Sequence, residues 1–518
     1  MLGSRSASGS PIFRGAEKNG IKVVQTVHEV TAVAAADASS RVTGLPGVAL
    51  ISSAPGLTNT IAAITAARQA ESALVLIGTS SSSILREEHL DVTNQMKSLK
   101  KLVKWSGKVD RVRDIAYELR EALRQALHGT PGPVYIQFTL DCLHPFPVVK
   151  KELDRKGTNW YLNYYIQNLF AAGFDVGREI RPWPIEIPFP KKEQVTKIVK
   201  AITKAERPLI VIGSQATLPP IDESKIATIL QDMAIPCFFQ GLAAGILPQS
   251  HPQHLKHGLN EALAGADLVL VLGIPADFKA QRVAHKTQLF AVNRNRATLK
   301  ANSAAFGDHA THVHSDVGQF LVEVSEKIGR FAISEEWLNN LKTTNATADA
   351  TVRSSATVAT ALNESLPDKT IIVADSSTFA ASTSPVLQSK GPMIQVPASG
   401  NTSAIAGYLM GTRLSRRDHQ VCSIIDITNS PFLLSEASSC VNQGVSGLVV
   451  AGNAAGSVSI TDPSSGSAVT NVESAIEKAG GKGLAIDAKA ASLPSDLTKA
   501  VNLANEGHYV LVNLVLNK

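Results

Sequence analysis

The sequence is short of the features that usually announce a function. Cysteine is scarce: Cys142, Cys237, Cys422 and Cys440 are the 4 in 518 residues. None falls in a CxxC or Cys/His metal-ligand spacing, which argues against a disulfide-built scaffold and a thiolate zinc site and points to a reducing compartment. Charge is scarce as well. Asp, Glu, Lys and Arg make up 18% of the chain against 44% hydrophobic residues, a balance that excludes disorder. The 50 Lys+Arg and 44 Asp+Glu leave a net charge of +6 with no block of five like charges. No nucleic-acid partner is therefore expected, even with a pI near 9.0. Long apolar runs are absent, and the longest strongly apolar stretch, Ala266-Asp-Leu-Val-Leu-Val-Leu-Gly273, has the length of a buried strand, so no membrane span is expected. Met1–Pro11 has no apolar signal core and the residues up to Lys518 form no retention or peroxisomal address, which makes the cytoplasm the default location. A GxGxxG fingerprint is missing too.

What is present is rhythm. Short Val/Ile/Leu runs alternate with longer helical patterns, which is how strands buried on both faces by crossover helices read. Strands are expected at Ile21–Val24, Gly47–Ser52, Leu74–Gly78, Val134–Gln137, Leu209–Gly213, Leu268–Gly273, Leu289–Asn293, Thr370–Ala374, Val421–Ile425, Gly447–Ala451 and Val510–Leu516. A helix is expected over Val109–His128, where apolar residues recur every three or four positions and charges fill the other face. The rhythm breaks over Leu153–Lys192, rich in proline and aromatic rings, which reads as an ordered connection whose rings avoid water. A second boundary is expected near Gly329–Ala350, where Ser, Thr, Asn and Ala accumulate. The chain then divides into residues 1–150, a connection at 151–191, residues 192–330 and residues 331–518. The fold class is α/β, with three doubly wound parallel-sheet domains.

The richest constellation opens at Val23-Val-Gln-Thr-Val-His-Glu29 and continues through a small-residue helix to Gly44. The next strand opens into Ala54-Pro-Gly-Leu-Thr-Asn59. A carboxylate at the C-terminal end of a strand, such as Glu29, stands where open α/β sheets bind ligands. These residues resemble the pyrimidine-binding domain of thiamine-diphosphate enzymes, within the acetolactate synthase-like group that includes the 2-hydroxyacyl-CoA lyases. Gly129-Thr-Pro-Gly-Pro-Val134, Trp160-Tyr-Leu162, Asn168-Leu-Phe-Ala171, Arg207-Pro-Leu-Ile-Val-Ile-Gly-Ser-Gln215 and Val292-Asn-Arg-Asn-Arg296 extend the likeness, in family order, over most of the chain.

The resemblance implies thiamine diphosphate and Mg²⁺ as cofactors, with an acyl-CoA or a 2-keto or 2-hydroxy acid as substrate. It gives Glu29 the family glutamate's role, which is to bond the aminopyrimidine ring and drive the tautomer that activates the thiazolium carbon. The cofactor itself carries the carbon chemistry. Taken alone, Glu29 reads equally well as a first-turn glutamate favoured by the helix dipole. Pro55 and Gly56 match the family's Gly-Pro-Gly turn at the cofactor, with Ala54 in place of the first glycine. Gln95 matches a glutamine at the reacting centre and otherwise reads as a surface amide, while His28 reads as structural. Because family sites form between the first domain of one subunit and the third of another, a homodimer or homotetramer is expected. The resemblance also places a strand, a helix and a membrane-anchoring helix upstream of this chain's start, the anchored relatives sitting on the endoplasmic reticulum. Part of the first sheet is thus expected to be missing.

In the middle domain the resemblance implies FAD or the nucleotide part of CoA in some members, although nothing in the sequence singles out FAD. Gly273-Ile-Pro-Ala-Asp277 and Asn293-Arg-Asn-Arg296 offer backbone amides and guanidinium forks to phosphate, or else are plain strand-end loops with solvated arginines. The family's third domain holds Mg²⁺ through a Gly-Asp-Gly loop and an Asn pair further on, and the matching stretches here are Cys422–Ser430 and Val449–Gly456. Without gaps, Ile427 falls on the metal-binding Asp and Ala454 on the second residue of the pair. An ion that demands oxygen ligands then loses both side chains. Slipped back by one, Asp426 and Asn453 restore the pair, but Ile425 and Ile427 replace the flanking glycines. Ala374-Asp-Ser-Ser-Thr378 and Pro397–Ala406 have lost further glycines, and Ser457–Val472 reads as a solvated loop. Two functions stay open. One is a thiamine-diphosphate- and Mg²⁺-dependent carbon–carbon lyase or synthase of the 2-hydroxyacyl-CoA lyase or acetolactate synthase type. Glu29 and Gln95 would be catalytic, Glu29, Pro55, Gly56 and Asn453 would bind cofactor, and Asp426 and Asn453 would hold metal. The other is a catalytically impaired paralogue that serves as a binding or oligomerisation partner.

Overall fold

The computed structural model describes residues 1–4, 10–52, 54–80, 95–144, 146–156, 160, 164, 170, 181–248, 250–274, 283–329, 331–387, 391–396, 404–429, 433–454, 460–461, 468–469 and 471–516. Three six-stranded parallel sheets follow one another along the chain. The first contains β1 (Leu2–Ser4), β2 (Val24–Thr26), β3 (Gly47–Leu50), β4 (Leu74–Ser80), β5 (Trp105–Val109) and β6 (Pro133–Thr139), in the order β2-β1-β3-β4-β6-β5. The second contains β7 (Pro208–Ile212), β8 (Cys237–Phe239), β9 (His254–Leu255), β10 (Leu268–Leu272), β11 (Gln288–Asn293) and β12 (Thr311–His314), in the order β12-β11-β10-β7-β8-β9. β13 (Thr370–Ala374), β14 (Met393–Gln395), β15 (Gln420–Asp426) and β16 (Gly447–Asn453) begin the third. An antiparallel ribbon of β17 (Ile460–Thr461) and β18 (Ala468–Val469) follows, before β19 (Lys482–Asp487) and β20 (Tyr509–Val515) complete the order β14-β13-β15-β16-β20-β19. The first and third sheets share one topology, while the middle sheet has the dinucleotide-fold order read outward from β7.

The expectation of a deficient first sheet is corrected. β1 lies between β2 and β3, pairing Leu2 with Val24 on one side and with Ala49 on the other. With both hydrogen-bonding rows in use, three residues suffice to fill the place. The helix expected over Val109–His128 is also trimmed: Val109 ends β5, and after a 3₁₀ turn at Val112–Asp114 the helix runs from Ile115 to Leu127.

The Ser/Thr/Asn/Ala-rich stretch at the second boundary is a helix, Glu335–Ser355. Its first turns belong to the middle domain's packing, since Trp337 and Leu341 are buried in that core and the Trp337 indole N–H donates to the Pro208 carbonyl at 3.3 Å. Much of the Pro/aromatic connection lies outside the described residues. Its described part runs from the first domain, where the Gly129 amide donates to the Glu186 carbonyl at 2.7 Å, to the middle one, where the Asp316 amide donates to the Pro188 carbonyl at 2.8 Å. The rings do not all leave water: Trp183 meets Tyr117 edge-on at 4.9 Å, but Trp160, Tyr164 and Phe189 are exposed. In the Ser457–Val472 stretch, β17 and β18 add structure where only a loop was expected, and Val472 is buried.

The first and third domains share one continuous apolar core. Its centre is the crossing of two helices, Glu29–Thr43 and Ile405–Ser415. Alanines fill the first helix, and on the second a Cβ added to Gly407 would lie 2.5 Å from the Thr31 carbonyl oxygen, and one on Gly411 2.0 Å from that of Ala35. Only small residues let the two backbones approach so closely. A buried ionic latch finishes the contact: the Arg41 guanidinium grips the Asp37 carboxylate at 2.8 and 2.6 Å and also donates to the Gln395 carbonyl at 3.2 Å, while the Tyr408 hydroxyl donates to Asp37 at 2.8 Å. Burial and the neighbouring Asp37 carboxylate push the Tyr408 hydroxyl well above its ordinary pKa, so it stays a donor. An interface this apolar and this well tied holds its two domains as one body.

Candidate active site

The site begins where β2 ends. The Thr26 hydroxyl donates to the His28 carbonyl at 2.9 Å, which closes a short turn, and His28 is the extended N-cap residue of the next helix. Glu29 is that helix's first residue and is half-buried, so both helix-end amides and the dipole favour its charge. Ser52, just beyond β3, donates its hydroxyl to Glu29 Oε1 at 2.5 Å. Gly56 closes the third side: a Cβ there would lie 2.0 Å from Ser52 Oγ and 2.9 Å from Glu29 Oε1. Glu29, Ser52 and Gly56 thus form a carboxylate cradle that any larger residue at 56 would fill.

The third domain reaches this turn from the other side. Glu436, fully buried on the helix Leu433–Asn442, accepts hydrogen bonds from the backbone amides of Val27 at 3.3 Å and His28 at 2.9 Å. A single chain therefore brings its own first and third domains together around Glu29.

The expected metal ligands, Asp426 and Asn453, stand at neighbouring strand ends but face opposite layers. On β15 and β16, Ile425, Val449 and Ala451 face the core shared with the first domain, whereas Cys422, Ile424, Leu448 and Val450 face the opposite layer. With a two-residue pleat, Asn453 points to the first-domain side and Asp426 to the other. The residue that shares the first-domain side with Asn453 is Ile427, fully buried in that core. Asp426 Oδ1 instead accepts from the Thr428 amide at 2.9 Å and hydroxyl at 2.6 Å. The Asn453 amide donates to Asn513 at 3.0 Å, and Asn513 donates to Glu473 at 2.7 Å. Buried Asp375 receives the amides of Ser377 at 2.9 Å and Asp426 at 3.1 Å, together with the Ser377 hydroxyl. These donors cap their own strand ends, and an apolar branched side chain stands where an octahedral oxygen shell needs a ligand. The third domain's described side chains do not fit Mg²⁺, whereas the Glu29 cradle fits the ring side of thiamine diphosphate.

In the middle domain, Arg296 is exposed, but the other arginine of the expected phosphate segment is already engaged. Arg294 is neither solvated nor free: it is buried against Asp316 at 2.6 Å and donates to the Pro219 carbonyl. Glu71 comes over from the first domain with a left-handed backbone (φ 55°) and fills the C-terminal crevice of this sheet. Its carboxylate accepts from Asn295 at 2.7 Å, from Thr298 at 3.1 Å and from Gln215. A cavity of about 490 Å³ opens beside it, bordered by Arg41 and Glu71, by Gln215 and Leu242, and by Ser376 and Gln395, one pair from each domain. Among the described side chains, Glu29, Gly56, Asp426 and Asn453 do not line it, whereas Gly273, from the expected phosphate loop, does. Arg41 stands at the far end of the helix that begins with Glu29, about 18 Å away at the helical rise per residue.

Of the residues expected from the sequence, Glu29 and Gly56 meet. Pro55 lies in the helix Ala54–Gln69 beside them and Gln95 begins the helix Gln95–Leu99, but both side chains fall outside the described residues, as do Asp277 and Ser457. Ser52 and Glu436 were not expected. Ser52 had a signal, a hydroxyl at a strand end opposite Glu29, whereas Glu436 stands out in the sequence only as a family position that fixes the ungapped register, with no role at the site.

Comparison with known proteins agrees with this architecture. The family model described as "Thiamine pyrophosphate enzyme, N-terminal TPP binding domain" matches residues 2–100, and the one for the central domain of the same enzymes matches residues 195–324. The chain is 32% identical to human 2-hydroxyacyl-CoA lyase 2, over 98% of this chain and 86% of the relative, and 33% identical to the Danio rerio protein of that name, over 98% and 88%. A probable acetolactate synthase of Mycobacterium bovis is 25% identical over 52% of this chain and 44% of its own. In three dimensions, a putative thiamin diphosphate-dependent enzyme isolated from Mycobacterium smegmatis superposes with a TM-score of 0.72 at 16% identity, covering 100% of this chain and 96% of the other, a likeness of fold.

Proposed function

Because the chain belongs to the thiamine pyrophosphate enzyme family, beside the 2-hydroxyacyl-CoA lyases 2, we propose that it is a catalytically impaired member of that family. It keeps the pyrimidine-side cradle and the three-domain frame, and it serves as a binding or oligomerisation partner rather than as a lyase. The observation that carries this reading is Ile427, fully buried on the sheet face of Asn453, at the position the resemblance gives to the metal-binding Asp. Its ligand class is that of its relatives, an acyl-CoA or a 2-keto or 2-hydroxy acid, and its association is a homodimer or homotetramer. No helix among the described residues is long and apolar enough to cross a membrane.

One observation favours a second reading, a working 2-hydroxyacyl-CoA lyase or acetolactate synthase-type enzyme. The Glu29 carboxylate, oriented by Ser52 and given room by Gly56, is placed to accept a hydrogen bond from a heterocyclic nitrogen. The two readings separate in an assay of 2-hydroxyacyl-CoA cleavage with thiamine diphosphate and Mg²⁺ supplied. The unmodified chain is expected to show no turnover. A variant combining Ile427→Asp, Ala454→Asn, Asp426→Gly and Thr428→Gly restores the family pattern, and activity should first appear in it. Turnover by the unmodified chain overturns the proposal.

A further inference from the structure

At the opposite end of the middle sheet from Glu71, two turns bring three metal-type donors together. His285 lies just before β11, and Asp308 and His309 lie just before β12. The two turns are tied by the Val283 amide, which donates to the Phe306 carbonyl at 2.5 Å, and the first is also held to the start of β10 by the Thr287 hydroxyl, which donates to the Ala266 carbonyl at 2.9 Å. Gly307 lets His309 fold back, since a Cβ there would lie 2.7 Å from the imidazole Cε1. The His285 and His309 rings sit 4.8 Å apart, and one ligand atom from each ring and from the Asp308 carboxylate all lie within 4.8 Å of one another. Both ring nitrogens of His309 are shielded from solvent and have no hydrogen-bond partner among the described residues. An imidazole deprived of both water and partners is costly, and a native structure that keeps one calls for an explanation.

We propose that His285, Asp308 and His309 form a binding site for a divalent transition metal ion of the zinc type. Two imidazoles and one carboxylate are the donor set of borderline ions such as Zn²⁺, Ni²⁺ and Co²⁺, whereas Mg²⁺ and Ca²⁺ take all-oxygen shells. Zinc bonds of about 2 Å in a tetrahedron put ligand atoms about 3.3 Å apart. His285 and Asp308 are exposed and His309 is half-buried, so closing the remaining distance calls on the two outer side chains rather than on His309. Three protein ligands leave one position for water or for a donor from another molecule. The site shares no residue with the Glu29 cradle, so it stands or falls independently of the function proposed above.

The test is calorimetric titration of ZnCl₂, and separately of NiCl₂, into the metal-stripped 518-residue chain. The expected result is one equivalent bound, weakened about tenfold or more by His285→Ala and by His309→Ala, a loss at least as large as that from removing an outer-shell partner. His419→Ala, at a histidine–carboxylate pair elsewhere, leaves the isotherm unchanged. Thermal midpoints show whether the variants fold, and if His309→Ala does not, the exposed His285 decides. Absence of stoichiometric binding of either ion, or binding that survives His285→Ala, overturns the proposal.

Discussion

The backbone amide of His28 donates to the carboxylate of Glu436 at 2.9 Å across a sequence separation of 408 residues. The turn that aims Glu29 is therefore set by the third domain as much as by the first. Glu436→Ala removes a fully buried carboxylate that accepts from two backbone amides and is expected to cost about 2–3 kcal/mol. Glu436→Gln keeps one acceptor and should cost less. Denaturant midpoints of the two variants check the ranking, and equal losses would show that the carboxylate is not what holds the turn.

Gly56→Ala puts a methyl group 2.0 Å from Ser52 Oγ, beside Glu29. Overpacking of this kind costs about 1–3 kcal/mol. Gly15→Ala, in the helix Ser10–Lys18 with nothing within 4 Å of the new Cβ, is expected to be neutral or stabilising by up to about 1 kcal/mol. Paired urea titrations read the contrast, which vanishes if the cradle at Gly56 is loose.

Acid sensitivity is expected from His254, whose ring lies against Phe239 at 4.7 Å with Nδ1 3.2 Å from the Leu247 carbonyl. Burial lowers its pKa to about 4, below the value near 6.5 of an exposed histidine. Between those two values the unfolded chain binds the extra proton and the folded chain does not. Stability is therefore complete above about pH 6.5 and falls as pH drops toward 4, by up to about 3 kcal/mol. His254→Leu should flatten the unfolding free energy over that window; an unchanged slope would place the titration elsewhere.

The sequence shows the frame well and the site in part. Central strands such as Thr370–Ala374, a threonine followed by four apolar residues, are buried throughout because both faces are covered, and that strand's bounds are readable to the residue. Edge strands are not readable. β5, Trp-Ser-Gly-Lys-Val, and β19, at the equivalent margin of the third sheet, mix polar and small residues because only one side of each is paired. At the site, Glu29 is legible from its place after a strand, but the pleat that separates Asp426 from Asn453 needed the two strands in register, Asp426 opposite Gly452. The roles of Glu436, Glu71 and Arg294 rest on contacts between segments far apart in the chain, or on burial that a charged residue does not advertise.

Calorimetric titration of thiamine diphosphate into the 518-residue chain, once with Mg²⁺ and once with EDTA, bears most directly on whether the third domain holds the diphosphate through an ion. With Ile427 buried on the metal side and Asp426 turned to the other face, the two isotherms are expected to coincide, without micromolar binding in either. Micromolar binding that appears with Mg²⁺ and disappears with EDTA would contradict this account and return the chain to the working lyases.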